Sequence, residues 1–242
     1  MSGKETEEKN PPDTSRRNFI KIMGVVAIGV GALGFLRGGI QNIIPSSAPV
    51  LSGFPSMKLV DTTGKAISTN SLTVNNPEIV TFDYPLLDEP NFLLRLGDSN
   101  NKDVEIKPVE VTIPLTGGKF TSPGGVGPYN SVVASSAICQ HLGCVPPEIR
   151  YHTFTSSSFD GKIHCDCHGS TYDPFEGFKV VTGPTQRPLP NVILSHEGSD
   201  PDSDEYYVKS LVGPVIYAHT SDLSGGNPLP SSTQTTVTVT KG

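Results

Sequence analysis

"CQHLGC" (Cys139–Cys144) and "CDCHGS" (Cys165–Ser170) hold all four cysteines of a 242-residue chain, and each box carries a histidine close behind its first cysteine. Two disulfides would account for the cysteines of an exported protein but leave His141 and His168 unexplained. A structural zinc ion suits Cys and His in two knuckles, yet a tetrahedral site filled by two of each leaves two cysteines over. A two-iron two-sulfur cluster held by one Cys and one His from each box, with the spare cysteines joined as a disulfide between the boxes, uses every residue.

Around the boxes the chain reads as short β-rich runs, among them "EIVTF", "FLLRL", "SVVASS", "KIHC", "NVILS" and "EYYVKSL", punctuated by many Gly and Pro. No long amphipathic helical pattern interrupts them. The expectation is an all-β domain over residues 58–222, an antiparallel sandwich or small barrel. The spacer between the boxes, "VPPEIRYHTFTSSSFDGKIH", is read as an elongated loop or an added hairpin, and its His152 and His164 as bystanders; His196 and His219 carry no spacing signal. Residues 223–242 are low in complexity and read as a tail or a late edge strand. A formal net charge of -6 with no basic run argues against a nucleic-acid partner, and no nucleotide-binding or nucleophile motif competes with the boxes.

The N-terminal part differs in kind. A polar leader ends in "SRRNFIK" (Ser15–Lys21), followed by fifteen uncharged, mostly apolar residues, Ile22 to Leu36, and then Arg37. Arg16 and Arg17 resemble the twin-arginine signal that exports folded proteins. Fifteen helical residues span roughly 22 Å, short of a bilayer core of about 30 Å. Phe19, Ile20 and "GGIQNII" lengthen the apolar stretch, with Lys21 and Arg37 placed to snorkel, and no small-x-small cleavage site follows directly. Residues 1–37 are therefore expected to be a leader with one transmembrane helix, a cleaved signal being the alternative, and the Gly/Ser/Pro-rich residues 38–57 a tether.

The two boxes, with Ser170 and Tyr172 in "CDCHGSTY", resemble those of the Rieske iron-sulfur subunit of cytochrome bc complexes, usually CTHLGC and CPCHGS. The resemblance is detailed over about residues 130–190, the expected cluster-binding subdomain, and general elsewhere. It implies that Cys139 and Cys165 bind the inner iron, His141 and His168 the outer one, and that Cys144 and Cys167 form the disulfide. It also implies that the Ser170 and Tyr172 hydroxyls donate to a cluster sulfide and a ligand sulfur. "GPTQRPLP" (Gly183–Pro190) resembles the proline-rich loop that covers the cluster, best at Gly183 and Pro184. Gln140 and Asp166 depart from the usual Thr and Pro; a carboxylate at 166 is expected to favour a protonated histidine and a lower potential.

By the same resemblance the cluster accepts an electron, with a coupled proton at a histidine, from quinol. It then passes the electron to a haem or copper acceptor. The domain would be anchored on the extracytoplasmic face beside a cytochrome b-type subunit, and the chain would be the redox subunit of an oxidoreductase, not complete alone. The alternatives are the small subunit of an arsenite-oxidase-type enzyme and an oxygenase-type Rieske ferredoxin. Cys144, Cys167 and the twin arginines argue against the ferredoxin.

Overall fold

The computed structural model describes residues 50–51, 55–155, 157–216 and 227–241. The twin arginines, the hydrophobic segment, most of the tether and His219 lie outside these. Among the described residues no helix is long and apolar enough to cross a membrane.

The strands are β1 (Val50–Leu51), β2 (Met57–Val60), β3 (Ile79–Asp83), β4 (Pro90–Arg95), β5 (Val109–Thr112), β6 (Lys119–Ser122) and β7 (Val132–Ser136). They continue with β8 (Ile149–His152), β9 (Lys162–Cys165), β10 (Ser170–Asp173), β11 (Lys179–Thr182), β12 (Asn191–Glu197), β13 (Glu205–Val212) and β14 (Gln234–Thr240). Eight of them form one sheet in the order β1-β13-β12-β7-β4-β3-β14-β2, and β2 pairs back onto β13, closing the ladder. A second sheet, β11-β10-β9-β8, carries the second box, and β5-β6 is a separate hairpin. The all-β fold is thus as the sequence suggests. The spacer between the boxes folds as the β8–β9 hairpin, paired from Ile149↔Cys165 to His152↔Lys162.

Side chains of a strand alternate between its two faces, and here each face has its own core. Leu93, Ala134 and Val192 point to one core with Met57, Tyr84, Tyr206 and Leu211. Their chain neighbours Phe92, Leu94 and Val133 point to the other, where they meet Ile149, Ile163, Tyr172, Phe178 and Leu189 of the cluster-box region. Cys139 and Cys165 belong to this second core. Such double-sided burial explains why β7 reads as "VVASS", buried throughout, without polar alternation.

Two features differ from the sequence reading. Within 223–242, β14 is not at an edge: it lies between β3, antiparallel, and β2, parallel, because alternation in "QTTVTVT" buries Thr235 and Val237. The β14–β2 pair is also the exception to an antiparallel sheet. A polar network ties the far side of the domain, where the buried Asp204 carboxylate accepts from Thr69 N at 2.7 Å and from His196 Nε2 at 2.8 Å.

Candidate metal centre

Both boxes are tight turns closed in the same way. In the first, Gly143 N donates to Cys139 O at 2.9 Å and Cys139 N to Cys144 O at 2.8 Å. In the second, Gly169 N donates to Cys165 O at 2.9 Å, and Ser170 pairs with Cys165 across β9 and β10. Gly143 and Gly169 both have φ of 81°, the left-handed region that glycine adopts without strain. Each turn thereby sends a cysteine inward and a histidine outward.

The turns bring the four expected ligands together. Cys139 and Cys165 are free thiols, buried in the second core. The His141 and His168 rings stand edge to face with centroids 4.9 Å apart; His168 is exposed and His141 half-buried. The expected disulfide is present between Cys144 and Cys167. It lies against Cys165, the sulfurs of Cys144, Cys165 and Cys167 all being within 4.8 Å of one another.

The chemistry of these donors fits an iron-sulfur cluster. His141 Nδ1 is buried without a hydrogen-bond partner in the chain, an arrangement that costs free energy unless something else is bound there. The thiols share a proton: the hydrogen bond between them holds the Cys139 thiol down and, together with burial, pushes Cys165 up. The thiolate is the form that binds metal, and the shared proton favours it at one sulfur of the pair.

Tyr172 is fully buried, and its hydroxyl accepts from Gln140 N at 3.0 Å while lying 3.4 Å from Cys139 Sγ. With its oxygen accepting from the amide, the phenol proton is available to the sulfur, the role that the resemblance implies for this residue. Asp166 does not act as an isolated charge. Its carboxylate pairs with Arg150 at 2.8 Å and lies 3.7 Å from His164 Nε2. His164 stacks on Phe159 at 3.7 Å and contacts Thr171 Oγ1 at 2.9 Å, and burial lowers the pKa of both His164 and His152.

The proline-rich loop is pressed onto the second box. A Cβ on Gly183 would lie 2.4 Å from Gly169 O and 2.5 Å from Ser170 Cα, so only glycine permits this approach. Three contributors escaped the sequence reading. Buried Thr185 hydrogen-bonds the Tyr172 phenol. Leu115, at the tip of the β5–β6 hairpin, donates its N–H to Gln186 O at 2.9 Å. Gly177 lies so close to Val111 and Ser122 of that hairpin that a Cβ would clash. Their partners are distant in sequence, and no spacing pattern announces them.

The model of the Rieske [2Fe-2S] domain family matches residues 102–193. A cytochrome b6-f complex iron-sulfur subunit of Parasynechococcus marenigrum is 27% identical over 190 residues, 78% of this chain and 84% of that protein. A putative respiratory nitrate reductase Rieske subunit of Haloferax mediterranei is 37% identical over 67 residues, 27% of this chain and 26% of its own. Among solved structures, the soluble domain of Rieske protein II of Sulfolobus acidocaldarius is 31% identical, covering 67% of this chain and 81% of that one, with a TM-score of 0.47.

Proposed function

We infer the function from the Rieske [2Fe-2S] domain that residues 102–193 match: the cofactor is a Rieske-type 2Fe-2S cluster and the role of the chain is redox. It acts as the electron-transfer subunit of a quinol-oxidising complex, with Cys139, His141, Cys165 and His168 holding the cluster. The observation that carries this reading is the split between buried cysteines and outward histidines.

When bound, the cluster supplies a one-electron acceptor whose potential is raised by imidazole ligands relative to all-cysteine clusters. Cys139 and Cys165 hold it in the second core, away from water. His141 Nδ1, buried and unpartnered, is the nitrogen that would bind the cluster, which would leave Nε2 to meet the quinol. There the imidazole accepts a hydrogen bond from a quinol hydroxyl and takes up its proton. His168, exposed beside it, offers a second such edge. Leu142, exposed next to His141 in the chain, gives a quinone ring an apolar neighbour.

Anchoring through the hydrophobic segment 22–36, an extracytoplasmic position and a cytochrome b-type partner with a haem or copper acceptor complete the reading. It is supported by the twin arginines, by the disulfide, which persists in oxidising compartments, and by the likeness to a cytochrome b6-f subunit. The likeness to a respiratory nitrate reductase Rieske subunit favours a second reading, a redox subunit that serves another oxidoreductase.

The midpoint potential of the purified chain as a function of pH, with paramagnetic resonance and iron and sulfide analysis, tests it. A high midpoint falling by about 59 mV per pH unit above a histidine pKa is expected for coupled electron and proton uptake. A low midpoint that does not move with pH would refute quinol oxidation.

A further inference from the structure

Cys165 occupies a position that serves two chemistries. Its sulfur is free, yet it lies within 4.8 Å of both sulfurs of the Cys144–Cys167 disulfide. Cys139, hydrogen-bonded to Cys165, is tied by its amide to Cys144 O at 2.8 Å, so the first box is fastened against the nucleophile. Burial keeps solvent thiols from Cys165, whereas the disulfide is its immediate neighbour. An intramolecular thiol at this range has a large advantage in effective concentration over any thiol in solution.

We propose that in the cluster-free chain Cys165 exchanges with the Cys144–Cys167 disulfide, and that ligation of Cys165 is what fixes the native pairing. Cys165 Sγ attacks Cys144 Sγ as its thiolate, the minor form of this thiol, so the exchange is slow. The Cys165–Cys144 bond forms, the Cys144–Cys167 bond breaks, and Cys167 leaves as the thiol, taking up the proton that Cys165 gives up. One thiol and one disulfide are present before and after, so no outside oxidant or reductant is required. Attack on Cys167 instead would close a small ring across Asp166 alone, which makes Cys144 the favoured target. The exchanged chain lacks a cluster ligand, so a chain that loses its cluster and isomerises can no longer take one up. The exchange rests only on the three sulfur positions; the protection rests on Cys165 being a ligand, as proposed above.

The test is peptide mapping of the full chain. Iron is stripped by a chelator under argon without added thiol, samples are taken over hours, and N-ethylmaleimide in denaturant traps the free cysteines. The tryptic peptides of the two boxes stay linked in either pairing; the expected change is that the label moves from Cys165 to Cys167. Cys139→Ser, which loses a ligand but keeps the three sulfurs, is expected to show the same transfer without a chelator. Cys165→Ser is expected to show none, and the cluster-loaded chain at least about tenfold less.

Absence of label on Cys167 in both the stripped chain and Cys139→Ser would overturn the proposal, as would its appearance in Cys165→Ser. Equal transfer in the loaded chain would overturn the protection. Full iron content in Cys165→Ser would refute the ligand assignment instead and leave the exchange result standing.

Discussion

The Tyr172 hydroxyl lies 3.4 Å from Cys139 Sγ and accepts the Gln140 amide proton, which leaves its own proton available to the sulfur. A donor to a ligand sulfur stabilises the reduced, more negative state over the oxidised one. A charge-assisted hydrogen bond of about 1.5–3 kcal/mol corresponds to roughly 65–130 mV for one electron if felt only after reduction. Tyr172→Phe is expected to lower the midpoint by tens of millivolts with iron content unchanged, and Ser170→Ala to act in the same direction. A redox titration monitored by paramagnetic resonance decides; an unmoved midpoint in either variant removes that residue from the role.

The contact between the proline-rich loop and the second box is the steric counterpart. Gly183 combines φ of 97° with a space that a methyl group would fill against Gly169 and Ser170 backbone. Gly183→Ala is expected to cost about 2–4 kcal/mol, from backbone strain plus overpacking. Thermal unfolding together with iron retention would show it, and wild-type values for both would mean that the loop is not pinned here.

Stability should also depend on pH through Glu89, which is 3% exposed with one carboxylate oxygen unpartnered. Burial, then Asp83 and Asp88, pushes its pKa up to about 7. Because the folded pKa lies above the unfolded one, the contribution is fully present below about pH 4.3 and is lost as pH rises through 7. Urea unfolding of the wild type relative to Glu89→Gln should therefore show a deficit that grows by about 1–3 kcal/mol between pH 5 and pH 8. A constant difference across that window would argue against a neutral, buried carboxyl.

Replacing Cys144 and Cys167 together by alanine opens a loop of about 24 residues, which the chain-entropy account rates at about 3 kcal/mol. The double variant is expected to unfold at correspondingly lower urea. Unchanged stability would show that the sheet pairings alone hold the boxes in place.

The metal centre was readable in the sequence because its chemistry is local: each box places its Cys, His and Gly within five residues, and a turn of that length has little freedom. The base of the domain was readable only as β-rich text. Which strand pairs with which depends on partners far apart along the chain, as the meeting of Asp204 with Thr69 shows, and spacing does not encode such meetings. Glu89 illustrates the other gap. An acidic residue reads as exposed until the packing of the β3–β4 turn buries it.

The placement of β14 between β3 and β2 has a consequence in time. One of the first strands of the domain waits for one of the last, so the ladder is incomplete until residue 240 has been synthesised. Contacts of such long sequence separation slow folding, and translation at roughly 5–20 residues per second sets a delay of many seconds before the domain can close. During that interval the strand edges that β14 will cover are open to any other chain, which makes the nascent domain a natural client for a chaperone before its cofactor arrives.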